Sequence, residues 1–238
     1  MKITIIEVGR VPEAFQSRFE PFPQMFRSMF EESGEAFAFE TVCVLDGEAL
    51  PEPQLLEGIV ITGSPAGVYE DHAWLEPLRT FIRGAYSANI PMVGICFGHQ
   101  IMADALGGVV QKSEKGWGLG RHTYSVVGRP DFLVDAPDTL NLVCSHQDQV
   151  VVAPENAEVI LASEFTPNAG LAYKNGKAIS FQPHPEFSDE FTKALIEIRR
   201  GNVPEDALEK AAASFVGPSD SSLVRGYIAQ FMRLSARR

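Results

Sequence analysis

An α/β fold with an open, mostly parallel central sheet and helices on both faces is predicted by three features of this sequence. Short apolar runs of buried-strand character, at residues 3–8, 58–62 and 92–95, recur through the N-terminal half. Amphipathic helical stretches separate them, and turns rich in small residues follow the second and third runs, where open α/β sheets hold their ligands. At 238 residues with 45% hydrophobic content, the chain can bury one substantial core. No Ser/Gly-rich linker or internal repeat divides it. Residues 1–238 are therefore read as one domain, with 188–238 as a helical C-terminal extension packed on it.

In chain order, residues 3–8 give the first strand, and 21–33 a helix with Met25, Phe26, Met29 and Phe30 at helical spacing, stopped by Gly34. A second strand is expected over 36–45, and Asp46-Gly47 with Pro51 and Pro53 makes an exposed connection. The strand at 58–62 runs into Gly63-Ser64-Pro65-Ala66-Gly67, whose small residues let backbone amides turn inward. The N–H of Ser64 is thus a candidate anion donor. A helix over 74–88 places Leu75, Leu78, Phe81, Ile82 and Ala85 on one face, and a right-handed crossover returns the chain to the strand at 92–95.

The turn after that strand carries Cys96 in Gly94-Ile95-Cys96-Phe97-Gly98, the thiol counterpart of a nucleophile elbow. In such an elbow the nucleophile sits on a strained turn between strand and helix, and glycines on either side let neighbouring backbone approach. Helix formers run from Gln100 to Leu106. The N–H of Phe97 points to where an oxyanion would form, and the positive end of the helix favours negative charge there. A free cysteine is more often a small buried hydrophobe, so the rest of the chain must decide.

After Gly107-Gly108, the residues Gly116, Gly118 and Gly120 spell G-x-G-x-G. With no strand expected before them, no helix after, and the third glycine one residue early, this is not a dinucleotide loop. Strands are expected over 122–127, 140–144, 149–152, 158–163, 171–174 and 178–181. Directly after the last comes Gln182-Pro183-His184-Pro185-Glu186. A residue before proline is held out of the α region, and in an extended segment residues two apart project to one side. His184 and Glu186 therefore face together, so the carboxylate can orient the imidazole while its other nitrogen meets a thiol.

Among the other histidines, His146 at a strand end could line a pocket, while His72, His99 and His122 are read as structural or exposed. From Ser188 the chain is helical, with one apolar face from Phe191, Leu195 and Ile198, another over 207–215 and a third over 223–234. Arg199, Arg200, Arg233, Arg237 and Arg238 are read as a solvated basic scatter.

A formal net charge of −11 argues against a nucleic-acid surface and points to a small-molecule substrate. Three cysteines without close spacing fit reduced thiols in a cytoplasmic protein better than a disulfide framework. No signal peptide, membrane span or metal-site spacing is read, and no cofactor is expected.

Four separated segments together resemble the class I glutamine amidotransferase domain: Thr62-Gly63-Ser64-Pro65, Gly94-Ile-Cys-Phe-Gly-His-Gln100, Ser145-His146-Gln147-Asp148 and Gln182-Pro-His-Pro-Glu186. The likeness covers roughly residues 55–190. It implies a flavodoxin-like fold and a triad of Cys96, His184 and Glu186, with oxyanion donors from the backbone of Ser64 and Phe97. It further implies that Gly63, Gln100 and His146 border the bound substrate. Members often carry two glycines before the proline, where this chain has Gly63-Ser64.

The activity implied is hydrolysis of the γ-amide of glutamine through a glutamyl thioester, with ammonia passing to a synthetase partner where one exists. Similar stand-alone proteins are γ-glutamyl peptidases, which apply the same chemistry to glutathione-like compounds. A non-catalytic sensor of γ-glutamyl ligands is the third reading. Trp117, in the loop 112–120, is the expected wall of the pocket beyond the scissile bond.

Overall fold

The computed structural model describes residues 1–236, so Arg237 and Arg238 of the expected basic scatter lie outside the described residues. Five parallel strands run in the order β2 (Ala38–Cys43), β1 (Lys2–Glu7), β3 (Ile59–Ile61), β4 (Met92–Ile95) and β11 (Ala178–Phe181). The sheet continues antiparallel through β10 (Gly170–Tyr173), β9 (Ala157–Ala162), β6 (Gly118–Val126) and β7 (Thr139–His146). The central strands are buried on both faces, which is why they read as unbroken apolar runs.

Two cores flank this sheet. On one side α1 (Phe22–Glu32) sets Phe26, Met29 and Phe30 against Ile3, Ile5, Val60 and Val93, where Ile228 and Met232 of α6 (Ser221–Ala236) join them. On the other, α2 (Leu75–Ser87) and α3 (Phe97–Ala105) cover Ile6, Ile59, Ile61 and Met92. Sheet residues alternate between these clusters along β1, as the two-residue period of a strand requires.

One strand was not expected. β5 (Val109–Lys112) pairs antiparallel with β8 (Asp148–Val152) as a separate ribbon. Only Val110 of its four residues is buried, so it carries too weak an apolar signal to be read. The glycine triplet therefore does follow a strand, and the loop expected over 112–120 shrinks to residues 113–117. Gly118 and Gly120 belong to β6, opposite His146 and Cys144. A Cβ on Gly118 would lie 2.7 Å from the Phe165 ring, and one on Gly120, at φ +81°, would lie 2.6 Å from the Ala211 carbonyl. These glycines serve close packing.

α4 (Asp189–Glu197) starts at Ser188, whose Oγ accepts the Phe191 N–H at 3.1 Å, an N-cap reinforced by Asp189 and Glu190 in the first turn. Buried Arg121 of β6 grips Asp189 through two bonds of 2.6 Å and fixes this helix over the β6–β7 hairpin. The apolar face differs from the one expected, because the helix is packed on two sides. Phe191 and Leu195 join Phe22, Val143 and Phe187, while Ile196 joins Leu119, Val203 and Leu208. Ile198 ends the helix and is 42% exposed. α5 (Glu205–Ala213) and α6 complete the chain as described.

Candidate active site

Cys96 stands between the end of β4 and the first residue of α3 with φ +53° and ψ −103°, a conformation that costs a non-glycine residue strain and recurs at functional sites. Neighbouring groups hold it there. Its N–H donates to the Phe181 carbonyl at 2.8 Å, and the Gly98 N–H donates to the Thr62 carbonyl at 3.2 Å. A Cβ on Gly94 would approach the Gly98 carbonyl to 2.5 Å, and one on Gly98 would strike the Ile61 carbonyl. The flanking glycines are thus required by contact. α3 begins directly at Phe97, three residues before the expected Gln100.

The end of β3 is locked beside this elbow. Thr62, fully buried, accepts the Val8 N–H at 3.1 Å on Oγ1 and donates to the Gly63 carbonyl at 3.0 Å. Gly63 lies between two of the expected triad members, since a Cβ there would sit 3.2 Å from His184 Cε1 and 3.8 Å from Cys96 Cβ. Ser64 turns the chain back by accepting the Ala66 N–H at 3.2 Å. Gly9 backs the loop, because a Cβ there would lie 2.6 Å from Ser64 Cα. Its part was not read from the sequence, where nothing near Gly9 signals a close approach.

His184 and Glu186 do face together. Nδ1 of His184 lies 2.7 Å from Oε1 of Glu186, both side chains being buried, and the His184 N–H donates to the Val143 carbonyl at 2.8 Å. The imidazole stacks on Phe187, with centroids 3.9 Å apart and planes within 6°. Burial alone would push the His184 pKa down. The charges of Glu186 and Cys96, with a hydrogen bond to each, outweigh it and raise the value to about 10. The imidazole is therefore held in its protonated form, with the Cys96 sulfur on one side and the Glu186 carboxylate on the other. Oε2 of Glu186 is buried without a hydrogen-bond partner, the oxygen left over by that arrangement.

The other buried histidines go the opposite way. His99, bonded at 2.8 Å to Ser180 Oγ, and His146, with Nδ1 3.1 Å from the Asp148 carbonyl, both have their pKa lowered to about 3 by burial. Neither is charged at neutral pH. His146 is wedged by Gly118 and Phe165 and braces the β7–β8 turn.

Cys96 opens on a cavity of about 160 Å³ whose walls include Ser64, Gln100, Trp117, Ser145, His146 and Arg199. A larger apolar groove of about 1090 Å³, beside Leu50, Trp74 and Phe81, contains none of the site residues. Gln100 donates from Nε2 to the Asp148 carbonyl at 2.8 Å and to Gln182 Oε1 at 3.1 Å, which commits its amide hydrogens to the protein. Arg199 corrects the expectation of a solvated cation. It is partly buried, stacks 3.5 Å above the Trp117 ring and lies on the cavity wall. Arg200 stays outside, paired with Glu197 and Glu205.

Residues 40–197 match the family model described as Glutamine amidotransferase class-I. The chain belongs to the class I glutamine amidotransferase family. A glutamine amidotransferase-like protein of Schizosaccharomyces pombe is 30% identical over 181 residues, covering 74% of this chain and 72% of its own. Gamma-glutamyl peptidase 4 of Arabidopsis thaliana is 29% identical, covering 81% and 79%. The glutamine-hydrolyzing GMP synthase of Aquifex aeolicus is 36% identical over 129 residues, but only 24% of that protein is covered. A solved glutamine amidotransferase from Thermotoga maritima superposes with a TM-score of 0.75 at 24% identity, covering 100% of this chain and 98% of that one. The resemblance expected from four motifs and the fold expected with it both hold. Arg199 lies just beyond the residues that match the amidotransferase family model.

Proposed function

We propose that this amidotransferase-family chain hydrolyses the γ-glutamyl carbon–nitrogen bond, with Cys96 as nucleophile, His184 as proton shuttle and Glu186 as orienter. The observation that carries the reading is the placement of one buried imidazole between a buried carboxylate at 2.7 Å and the hydrogen-bonded sulfur of a cysteine held at positive φ on a helix N-terminus. Thiolate sulfur attacks the γ-carbonyl carbon, and the carbonyl oxygen takes the negative charge in front of the N–H groups of Phe97 and Ser64. Phe97 is the first residue of α3, so its N–H has no intrahelical acceptor.

The C–N bond then breaks as His184 protonates the departing nitrogen, leaving a glutamyl thioester on Cys96. Neutral His184 takes a proton from water, hydroxide adds to the thioester carbon, and the sulfur leaves as thiolate with glutamate released. His184 keeps the proton taken from water, which restores the starting pair with the thiolate, and the acid proton of the new γ-carboxyl group passes to solvent. Glu186 accepts from Nδ1 throughout, which keeps the other ring nitrogen aimed at the sulfur. Gln100, its amide hydrogens already spent, offers its carbonyl oxygen to the glutamyl group, and Gly63 and His146 shape the cavity beside it.

Glutamine is the parent substrate, and an ammonia-accepting synthetase is the partner that such a reaction would serve. The second reading, γ-glutamyl peptidase, is favoured by the cavity running on from Cys96 to Trp117 and Arg199. Measuring glutamate release by the isolated chain from glutamine, glutathione and γ-glutamyl dipeptides tests both. Release from none of them, with γ-glutamyl ligands still bound, would replace hydrolysis by sensing.

A further inference from the structure

Arg199 is built into the cavity wall by its own backbone and by two neighbours. The chain leaves α4, turns through Gly201 at φ +87°, and returns so that the N–H groups of Asn202 and Val203 donate to the Arg199 carbonyl at 2.9 and 3.1 Å. Its Cζ sits over the Trp117 ring, 3.5 Å from the centroid, and Nη2 donates to Ser145 Oγ at 3.4 Å. Stacking engages the face of a guanidinium, so apart from the weak bond to Ser145 its in-plane N–H groups are left for a carboxylate, which such a fork can grip with two parallel bonds.

Glu70 and Asp148 line the same cavity, but no carboxylate lies in ion-pairing range of Arg199, which is unusual in a chain that carries 31 Asp and Glu against 20 Lys and Arg. Arg10, Arg18, Arg79, Arg83, Arg121, Arg129, Arg200, Arg225 and Arg233 each form an ion pair. Among the described arginines only Arg27 and Arg199 have no carboxylate in ion-pairing range, and Arg27 points its guanidinium at Thr41 Oγ1. Nε of Arg199 is buried with no hydrogen-bond partner. Burial lowers the Arg199 pKa to about 10, with the Cys96 charge acting against it, so the group remains cationic at neutral pH. A partly buried cation with no carboxylate paired to it is costly, and an anionic ligand entering the cavity would offset that cost.

We propose that Arg199 is the carboxylate-binding group of the Cys96 cavity, its guanidinium taking a free carboxylate of a γ-glutamyl substrate. That carboxylate is either the α-carboxylate of the glutamyl half or the terminal carboxylate of an amino acid in the leaving half. The proposal rests on the γ-glutamyl reading above and adds to it the group that selects and seats the ligand. Trp117 is the positioning residue that holds the guanidinium plane.

The test compares Arg199→Ala and Arg199→Lys with the unchanged chain on glutamine, γ-glutamylglycine and γ-glutamylglycinamide. A rise in KM of about 10- to 100-fold with kcat little changed is expected, the size of a lost charge-assisted bond. A rise on all three substrates assigns the α-carboxylate, and a rise on γ-glutamylglycine alone assigns the leaving-half carboxylate. Arg199→Lys should recover only part of the loss, because an ammonium cannot form the fork. Protection of Cys96 from alkylation by γ-glutamylglycine gives a binding readout that needs no turnover. If no substrate is hydrolysed but protection is lost in Arg199→Ala, the hydrolase reading fails and the carboxylate site stands. Unchanged KM and unchanged protection in both variants, with thermal unfolding unaltered, would overturn it.

Discussion

His184 and Glu186 are separated by one residue, Pro185, and their side chains meet at 2.7 Å with Nδ1 of the ring against Oε1 of the carboxylate. The chain bends at Gln182-Pro183 and turns at Pro185-Glu186, so the pair meets on a turn and not along the extended run expected from the prolines, and Phe187 fixes the ring plane by stacking on it. An imidazole so held has little freedom to rotate away from Cys96.

Replacing the nucleophile should separate the three cysteines. Cys96→Ala is expected to abolish glutamate release and the trapping of a glutamyl adduct seen by intact mass. Cys144→Ala should keep hydrolysis and lose about 1 kcal/mol of stability, since the thiol it removes is buried beside Tyr124 and pushed up to about 12 by burial. Cys43→Ala should also keep it. An active Cys96→Ala protein would end the proposed mechanism.

The protonation of His184 can be followed by NMR of its ring nitrogens. Its pKa should lie well above the usual histidine value of about 6.5 and fall in Glu186→Gln, which removes the largest raising cause. The associated stability is fully present below about 6.5 and is lost as pH rises through the folded value. Urea unfolding of Glu186→Gln should therefore show a flatter decline on the alkaline side. A midpoint at or below 6.5 in the unchanged chain contradicts the imidazolium assignment.

Kinetics of the shuttle and its orienter should differ in degree. His184→Ala is expected to lose about 100-fold or more in kcat, whereas Glu186→Gln keeps measurable turnover. His146→Asn can still bond the Asp148 carbonyl and should retain kcat, with an effect confined to KM. Equal loss in His146→Asn and His184→Ala would move the base assignment to the β7–β8 turn.

Gly63→Ala places a methyl 3.2 Å from His184 Cε1. The ring must give by a few tenths of an ångström, and kcat should fall about tenfold without a large shift in the unfolding temperature, because displaced reacting groups cost rate before stability. Full activity in this variant would mean that Gly63 does not bound the reacting groups.

Much of the fold was legible because its central strands are buried on both faces and its helices carry one apolar stripe. β5 was missed because a two-stranded ribbon with one buried residue leaves no periodic trace. Ile198 was placed on an apolar face because helical spacing continues past Glu197 in the sequence, while the chain itself stops there and turns.

The sequence by itself determined the elbow around Cys96, the paired projection of His184 and Glu186, and the small-residue loop at Gly63-Ser64. Each is a local constraint of glycine or proline on a few consecutive residues, and local constraints survive in a linear reading. Which groups meet across the cavity was decided only in three dimensions. Arg199 reaches it because Arg121 and Asp189 hold α4 over the β6–β7 hairpin and because Trp117 offers a ring beneath the guanidinium, contacts 68 and 82 positions apart in the chain. No spacing rule encodes such a meeting. An arginine after a helix reads as solvated until packing removes the water around it.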